Sequence, residues 1–419
     1  MTDAYPIRPT AEDEFPAFFA VGEYAFNSTW PTEPLLQHES TVFEADRSLA
    51  AFDGARMVGT TFACTFRLTV PGGVTGAAGV TAVSVLPSHR RRGILTSLMR
   101  RQLTDIRERG EAVAALFSSE SGIYGRYGYG VASDHLRLVI RRGEGALLRP
   151  QAEGGATAGQ ARLKLAEPAE AKAELAKVYD ALLPGRPGLL ARDDRWWDYR
   201  LADPEFARKG TSPLRCLIAE DDAGPRGYAL YSVRPEWGED GIPAGMLGIR
   251  ELMAVDPPAC AAIWTDLLTR DLVGEVRAWR RPVDEPLLYM LADPRRARPY
   301  LTDGLWIRLT DVPAALAQRS YACDVDVVIE VADDLLAGNA GRWRLRAGGG
   351  GQGGASCERT SAAADVVLPV RTLGAAYLGG RSLSALAAAG QAGEMRPGAL
   401  RALSAAMSWD LAPWCTTPF

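Results

Sequence analysis

The sequence predicts an α/β fold built from two copies of one unit, followed by an α+β layer of different character. Three observations predict it. At roughly 150 residues per domain, a chain of 419 makes three domains the central expectation. The same order of strand, turn and helix signals occurs in the first 145 residues and again between 165 and 312. From about 313 onward that order gives way to strands followed by short helices.

The elements follow in order. Each copy opens with a strand pair around a turn, Leu49–Gly54 with Met57–Phe62 in the first and Cys216–Asp221 with Arg226–Tyr231 in the second. Next comes a strand ending in Val-x-Pro that runs straight into a helix: Ala82–Pro87 before Leu95–Leu103, and Leu252–Pro257 before Ile263–Leu268. A further apolar strand follows (Ala112–Phe117; Leu287–Leu291), then a basic turn and a closing strand (Leu136–Ile140; Leu305–Leu309). The last segment predicts strands at Val325–Val331, Trp343–Leu345 and Val366–Val370, then helices at Leu373–Leu378, Leu383–Ala388 and Pro397–Met407. Small residues over 143–161 mark a domain junction, and the glycine run at 347–355 a loop inside the last domain. The expected domains are 1–145, 146–310 and 311–419.

Composition removes several functions. With 47% hydrophobic and 23% charged residues, this is the makeup of a globular protein. No apolar run approaches the 18 or so residues of a membrane span, and Met-Thr-Asp-Ala-Tyr-Pro is neither a basic start nor an apolar signal core, so a cytoplasmic location is expected. A net charge of -4 argues against a nucleic-acid binder, which needs a cationic footprint; a locally acidic surface would instead suit a cationic ligand. The six cysteines lie far apart, and His38, His89 and His135 do not share a helical face, so neither a metal centre nor a redox dithiol is expected.

The chemistry concentrates in Val83-Ser84-Val85-Leu86-Pro87-Ser88-His89-Arg90-Arg91-Arg92-Gly93-Ile94-Leu95-Thr96. A strand delivers the chain to a turn, three arginines and a glycine follow, and a helix starts whose first N–H groups have no partner within the helix. Free N–H groups, a favourable dipole and adjacent guanidinium groups suit a pyrophosphate. Gly93 lets the backbone approach phosphate closely.

Arg-x-x-Gly directly after a Val-x-Val-x-Pro strand resembles the acetyl-coenzyme A signature of the Gcn5-related N-acetyltransferase (GNAT) superfamily, with Arg90 and Gly93 at its key positions. Leu95 stands where that superfamily usually has Gly or Ala. Taken with Ser119 to Gly130, the Trp196-Trp197-Asp198-Tyr199-Arg200 stretch and a terminal Phe419, the whole chain resembles the Eis (enhanced intracellular survival) family. The resemblance implies tandem GNAT folds, the second copy degenerate, then a sterol-carrier-protein-like α+β domain, which the Ala364–Leu368 and Leu373–Gly380 runs resemble.

It also implies an activity: transfer of acetyl from acetyl-CoA, without a metal, to primary amines of a cationic acceptor such as an aminoglycoside or a polyamine-like molecule. Acetylation of protein lysines and a non-catalytic lipid-carrier role are the alternatives. By resemblance, Val83, Ser84 and Val85 hold the pantetheine arm and acetyl carbonyl, and the segment Arg90, Arg91, Arg92, Gly93, Ile94, Leu95 and Thr96 holds the pyrophosphate. Ser119 and Glu120 line the far side of the cofactor, Tyr124 is the general acid, and the α-carboxylate of Phe419 is the general base, anchored by its ring. The family further implies a homohexamer. Glu23, Phe26, Trp30 and Glu33 are the candidate acceptor-facing residues, since aromatic and acidic walls suit a cation. In the second copy Pro258-Ala259-Cys260-Ala261-Ala262-Ile263 replaces Ser88 to Gly93, so with no arginine and no glycine it is expected not to bind coenzyme A.

Overall fold

The structure is a computed structural model describing residues 5–28, 32–148, 161–350 and 354–419. It divides into two compact units, one of Met1–Ser133, Gly185–Ala191 and Asp303–Phe419, the other of Asp134–Pro184 and Arg192–Thr302.

The first unit begins with β1 (Ile7–Arg8), α1 (Phe15–Phe26), α2 (Thr32–Ser40), β2 (Ser48–Asp53), β3 (Arg56–Val70) and β4 (Gly73–Val85). Helix α3 (Ile94–Glu108), β5 (Val113–Phe117), α4 (Ser121–Tyr124) and β6 (Gly130–Val131) follow. Helix α3 forms because Ile94, Leu98, Met99, Leu103 and Ile106 fall on one face, which is buried. Helix α1 ends at Asn27, whose left-handed φ of 52° stops it.

The second unit contains β7 (Asp134–Arg141), β8 (Arg162–Ala166), α5 (Lys172–Leu182), α6 (Asp194–Leu201), α7 (Glu205–Arg208), β9 (Arg215–Asp221), β10 (Gly224–Arg234) and β11 (Gly245–Ala254). Helix α8 (Pro257–Leu268), β12 (Val273–Arg281), α9 (Leu287–Met290) and β13 (Tyr300–Asp303) complete its run of elements. Its seven-stranded sheet has the order β13-β7-β12-β11-β10-β9-β8.

The chain then returns to the first unit with β14 (Leu305–Leu309), α10 (Val312–Ala317), β15 (Val325–Ala332), β16 (Gly341–Ala347), β17 (Ser356–Arg359) and β18 (Val366–Pro369). Helices α11 (Val370–Ala376) and α12 (Leu383–Ala388), strand β19 (Gly393–Glu394) and α13 (Ala399–Met407) end it. The first unit holds a seven-stranded sheet ordered β1-β2-β3-β4-β5-β14-β6 and a five-stranded sheet ordered β17-β16-β15-β18-β19.

Two expectations are corrected. The closing strands change places: Leu136–Ile140 lies in the second sheet, between β13 and β12, whereas Leu305–Leu309 lies in the first, between β5 and β6. Burial explains the assignment. All five residues of β14 are buried, as a central slot requires, while β7 alternates buried and exposed positions. The second correction concerns Leu287–Leu291, which supplies a short helix; the strand expected there is Val273–Arg281.

A buried charge cluster orders the second unit. Glu251 accepts both arms of Arg192 (3.0 and 2.6 Å) and the Tyr228 hydroxyl (2.5 Å), and Arg200 stands 3.6 Å away. The Arg192 guanidinium lies 4.0 Å from the Tyr179 ring centre and 4.8 Å from that of Trp197, so the Trp-Trp stretch of the sequence serves the interior. Burial opposes the carboxylate, but the two guanidinium charges prevail and hold its pKa at about 2. Because the folded value is depressed, the cluster's contribution to stability is complete above the unfolded value of about 4.3 and is lost as pH falls toward 2. Glu251→Gln is expected to destabilise the chain by about 3–5 kcal/mol at pH 7, since it leaves two buried guanidinium groups uncompensated. Urea unfolding at pH 7 and pH 4 checks it, and the difference between variant and parent shrinks at the lower pH.

Candidate active site

The site is built where β4 and β5 part. Their parallel ladder runs over Ala77↔Val113, Ala78↔Ala114 and Gly79↔Ala115 and stops there. Beyond it β4 is bulged: Thr60 pairs with Ser84 but Phe62 with Thr81, and Ala82 is driven to a left-handed φ of 49°. The Thr60 hydroxyl donates to the Ala82 carbonyl at 2.9 Å and fixes the bulge. Val83 and Val85 therefore lie on a stretch of β4 that has left the β5 ladder, and a linear amide-bearing ligand can pair with such an edge. Ser84 is buried, and its hydroxyl has no hydrogen-bond partner among the described residues.

After β4 the chain turns through Pro87–His89. His89 is buried and bridges Asp53 (Nε2 to Oδ2, 3.0 Å) and Ser88 (2.9 Å), with the Tyr5 ring edge-on at 5.9 Å, so it braces the turn. Arg90, Arg91, Arg92 and Gly93 follow, all exposed, with Arg91 at φ 64° and Gly93 capping α3 at φ 84° without a side-chain cap. The first N–H groups of α3 stay available to an anion. Arg90 donates to the Ala25 carbonyl at 3.3 Å, and Arg92 to the Tyr5 hydroxyl at 2.8 Å, which raises the pKa of Arg92 above the ordinary arginine value. Ile94 is buried, Leu95 half-buried, and Thr96, exposed, lies 3.4 Å from the Tyr127 hydroxyl. These features fit a pyrophosphate-bearing thioester.

On the far side β5 ends at Phe117, and Ser119 and Glu120 are exposed. Helix α4 carries Tyr124, which packs in one buried cluster with Ala78, Val80 and Leu116, the residues flanking the point of parting. Its ring meets that of Tyr129 edge-on at 6.0 Å. Burial first, then the neighbouring Tyr127 and Glu120, push the Tyr124 pKa up to about 12.

The last residue arrives at the same place. Trp414, Cys415, Thr416 and Thr417 are buried, and the Trp414 N–H donates to the Pro187 carbonyl at 2.8 Å. The Phe419 ring lies 5.1 Å from that of Phe66 on β3 and 5.4 Å from that of Phe117 on β5. A Cβ at Gly79 would fall 2.4 Å from Phe66 and 3.1 Å from Phe419, so glycine is required where both rings cover β4. The terminal residue is thus seated at the end of the β4–β5 ladder.

Of the acceptor-facing candidates, Glu23 has a solvent-inaccessible carboxylate oxygen without a partner among the described residues, while Phe26 and Glu33 are exposed and Trp30 lies outside those residues. The sequence reading missed Arg308 on β14. It is fully buried, its Nη2 binds both oxygens of Asp333 (2.8 and 2.7 Å), and its Nε and Nη1 have no partner among the described residues. A Cβ at Gly128 would lie 2.8 Å from this guanidinium, so Arg308 backs the turn that carries the tyrosines. Asp333 also accepts from Asn339 at 3.0 Å, tying that turn to the layer following β15. Ser118, just past β5, was missed too; its buried hydroxyl has no partner among the described residues. Among the described residues no cluster of His, Cys, Asp or Glu could hold a metal ion, and no helix is long and apolar enough to cross a membrane.

Parting strands above an arginine-rich helix start define the acyltransferase class, and comparison with known proteins agrees. Residues 6–132 and 188–309 each match an acetyltransferase (GNAT) domain, and residues 312–416 a sterol carrier protein domain. The chain is 43% identical to an uncharacterised N-acetyltransferase of Streptomyces avermitilis, over 97% of its own length and 98% of that protein's. It is 35% identical to the N-acetyltransferase Eis of Mycobacterium tuberculosis, over 96% of each. The crystal structure of Eis1 from Mycobacterium abscessus superposes with a TM-score of 0.80 at 33% identity, covering 99% of this chain and 100% of that one. This chain belongs to the Eis family of N-acetyltransferases: two GNAT domains followed by a sterol-carrier-like domain.

Proposed function

We propose that this enzyme transfers the acetyl group of acetyl-CoA to a primary amine of a small cationic acceptor, of aminoglycoside or polyamine type, with Tyr124 as general acid and the α-carboxylate of Phe419 as general base. The observation that carries the reading is the convergence of the chain terminus on Gly79, at the end of the β4–β5 ladder, beside the cluster that holds Tyr124. Acetyl-CoA supplies the activated thioester. Val83 and Val85 on the bulged strand would pair with its pantetheine arm, and the segment from Arg90 to Thr96 would take its pyrophosphate, with Ser119 and Glu120 opposite. Tyr124 holds a proton for the departing sulfur, and the terminal carboxylate accepts one from the attacking amine, directly or through water. A buried carboxylate oxygen of Glu23 without a partner supports a cationic acceptor.

Thiol release from acetyl-CoA against aminoglycosides, polyamines and lysine peptides tests the reading. Release with small amines is expected; release with peptides alone would overturn the acceptor class, and no release with any amine the enzymatic reading itself. Replacing Arg91 and Arg92 together by Ala is expected to weaken acetyl-CoA binding by roughly 10–100-fold, because charge-assisted phosphate contacts are lost. The loss should shrink as salt rises, since both side chains are exposed. Calorimetric titration at low and high ionic strength reads both effects.

A further inference from the structure

We propose that the second unit carries an anion site of its own, and that its ligand is a small phosphate-bearing anion with two or more charges. A cavity of about 320 Å³ lies between α6–α7 and strands β10, β11 and β12. Among the described residues, six cationic side chains line it, Arg200, Arg208, Lys209, Arg234, Arg250 and Arg280, against a single acid, Asp203. The chain as a whole is at -4, so composition does not account for this concentration of positive charge.

The lone acid is already shared. Asp203 accepts from Arg208 at 2.8 Å and faces Arg250 at 3.5 Å. Arg250 spends its other arm on the carbonyls of Arg200 (3.3 Å) and Ala202 (3.1 Å). The Arg200 side chain is only 10% exposed, its Nε has no hydrogen-bond partner, and the carboxylate within its reach, Glu251, is bound at both oxygens by Arg192. Burial lowers the pKa of both Arg200 and Arg250 from the ordinary arginine value, and for Arg250 the charge of Arg200 lowers it further. Each of these guanidinium groups shares its carboxylate with another arginine, Glu251 with Arg192 and Asp203 with Arg208, so the positive charges outnumber the negative ones and an incoming anion is favoured.

Guanidinium forks on several elements suit the tetrahedral oxygens of phosphate. One wall is apolar: the Trp279 indole lies against Gly248 and remains 37% exposed, which gives a flat surface for the organic part of a phosphorylated metabolite. Next to it Arg280 stands at a φ of 51°, a left-handed conformation that disfavours a side chain and recurs at ligand sites. This inference is independent of the acetyl-transfer reading, since the expected coenzyme A loop is absent from this copy and the cavity uses other elements.

The test is calorimetric titration of inorganic pyrophosphate into the full chain carrying Arg91→Ala and Arg92→Ala, so that the first unit's arginine cradle does not contribute. One equivalent should bind, with affinity falling steeply as salt rises. Adding Arg250→Gln should weaken binding by about tenfold or more, and adding Arg234→Gln, an exposed substitution that leaves the interior intact, should weaken it by about two- to fivefold. No binding by the starting chain, or equal affinity in both added variants with circular dichroism unchanged, would overturn the proposal.

Discussion

A chain extended by one alanine beyond Phe419 is expected to turn over roughly 10²–10⁴-fold more slowly, the range by which a positioned base contributes. Its melting temperature and its affinity for acetyl-CoA should be nearly those of the parent. The extension displaces the negative charge by about 3.5 Å, one residue along an extended chain, and puts a neutral amide where the carboxylate stood. Ring packing against Phe66 and Phe117 holds the residue in place, so the variant keeps its anchor and loses only the charge at that position. Phe419→Ala is the complementary change: it keeps a terminal carboxylate but removes the two ring contacts. Turnover should again fall, here with some loss of stability. A free α-carboxylate has a pKa of about 3.5 and is a weak base for an ammonium near 10, so the group must act on an amine already neutral or through water. The parental rate should accordingly rise with pH as the acceptor loses its proton. An extended chain that keeps full turnover would show that the base lies elsewhere.

The parts of this site that were legible in the sequence are those written locally. A strand, three arginines, a glycine and a helix start occupy a few consecutive residues, so the exposed arginines and the helix start without a side-chain cap follow from their order alone. What was not legible depends on partners distant in sequence. Leu136–Ile140 and Leu305–Leu309 are similar apolar runs, and only burial on both faces of the latter assigns it to a central slot in the first sheet. With that strand comes Arg308, whose meaning rests on Asp333 and on the close approach to Gly128. The run at Leu287–Leu291 misled because a short apolar stretch has no period to separate strand from helix. The orphaned oxygens of Glu23, Ser84 and Ser118 are invisible to any pattern, since satisfaction of a hydrogen bond is a property of packing.

Tyr124→Phe is expected to lower kcat by about 10²–10⁴-fold while KM for acetyl-CoA changes by less than about twofold, because a positioned acid acts only as charge develops on the leaving sulfur. The ring stays, with its edge-on contact to Tyr129 and its place in the cluster with Ala78, Val80 and Leu116, so the melting temperature should barely move. A pKa of about 12 makes Tyr124 a weaker acid than a free phenol, which at first sight opposes proton transfer to a thiolate whose aqueous value is near 8.5. The cause of the shift resolves the difficulty. Burial raises the phenol, and the same low-dielectric surroundings destabilise a thiolate formed beside it, so the two values rise together and the match is kept. The sign also fixes the pH dependence. A raised value keeps the proton on Tyr124 at pH values well below 12, so the parent should show no alkaline loss of kcat from this group below about pH 11. The phenylalanine variant should then follow the parental profile, displaced downward by a constant factor. A variant with undiminished kcat would remove Tyr124 from the acid role, whereas a parental profile that falls between pH 8 and 10 and flattens on substitution would keep that role and overturn the raised value.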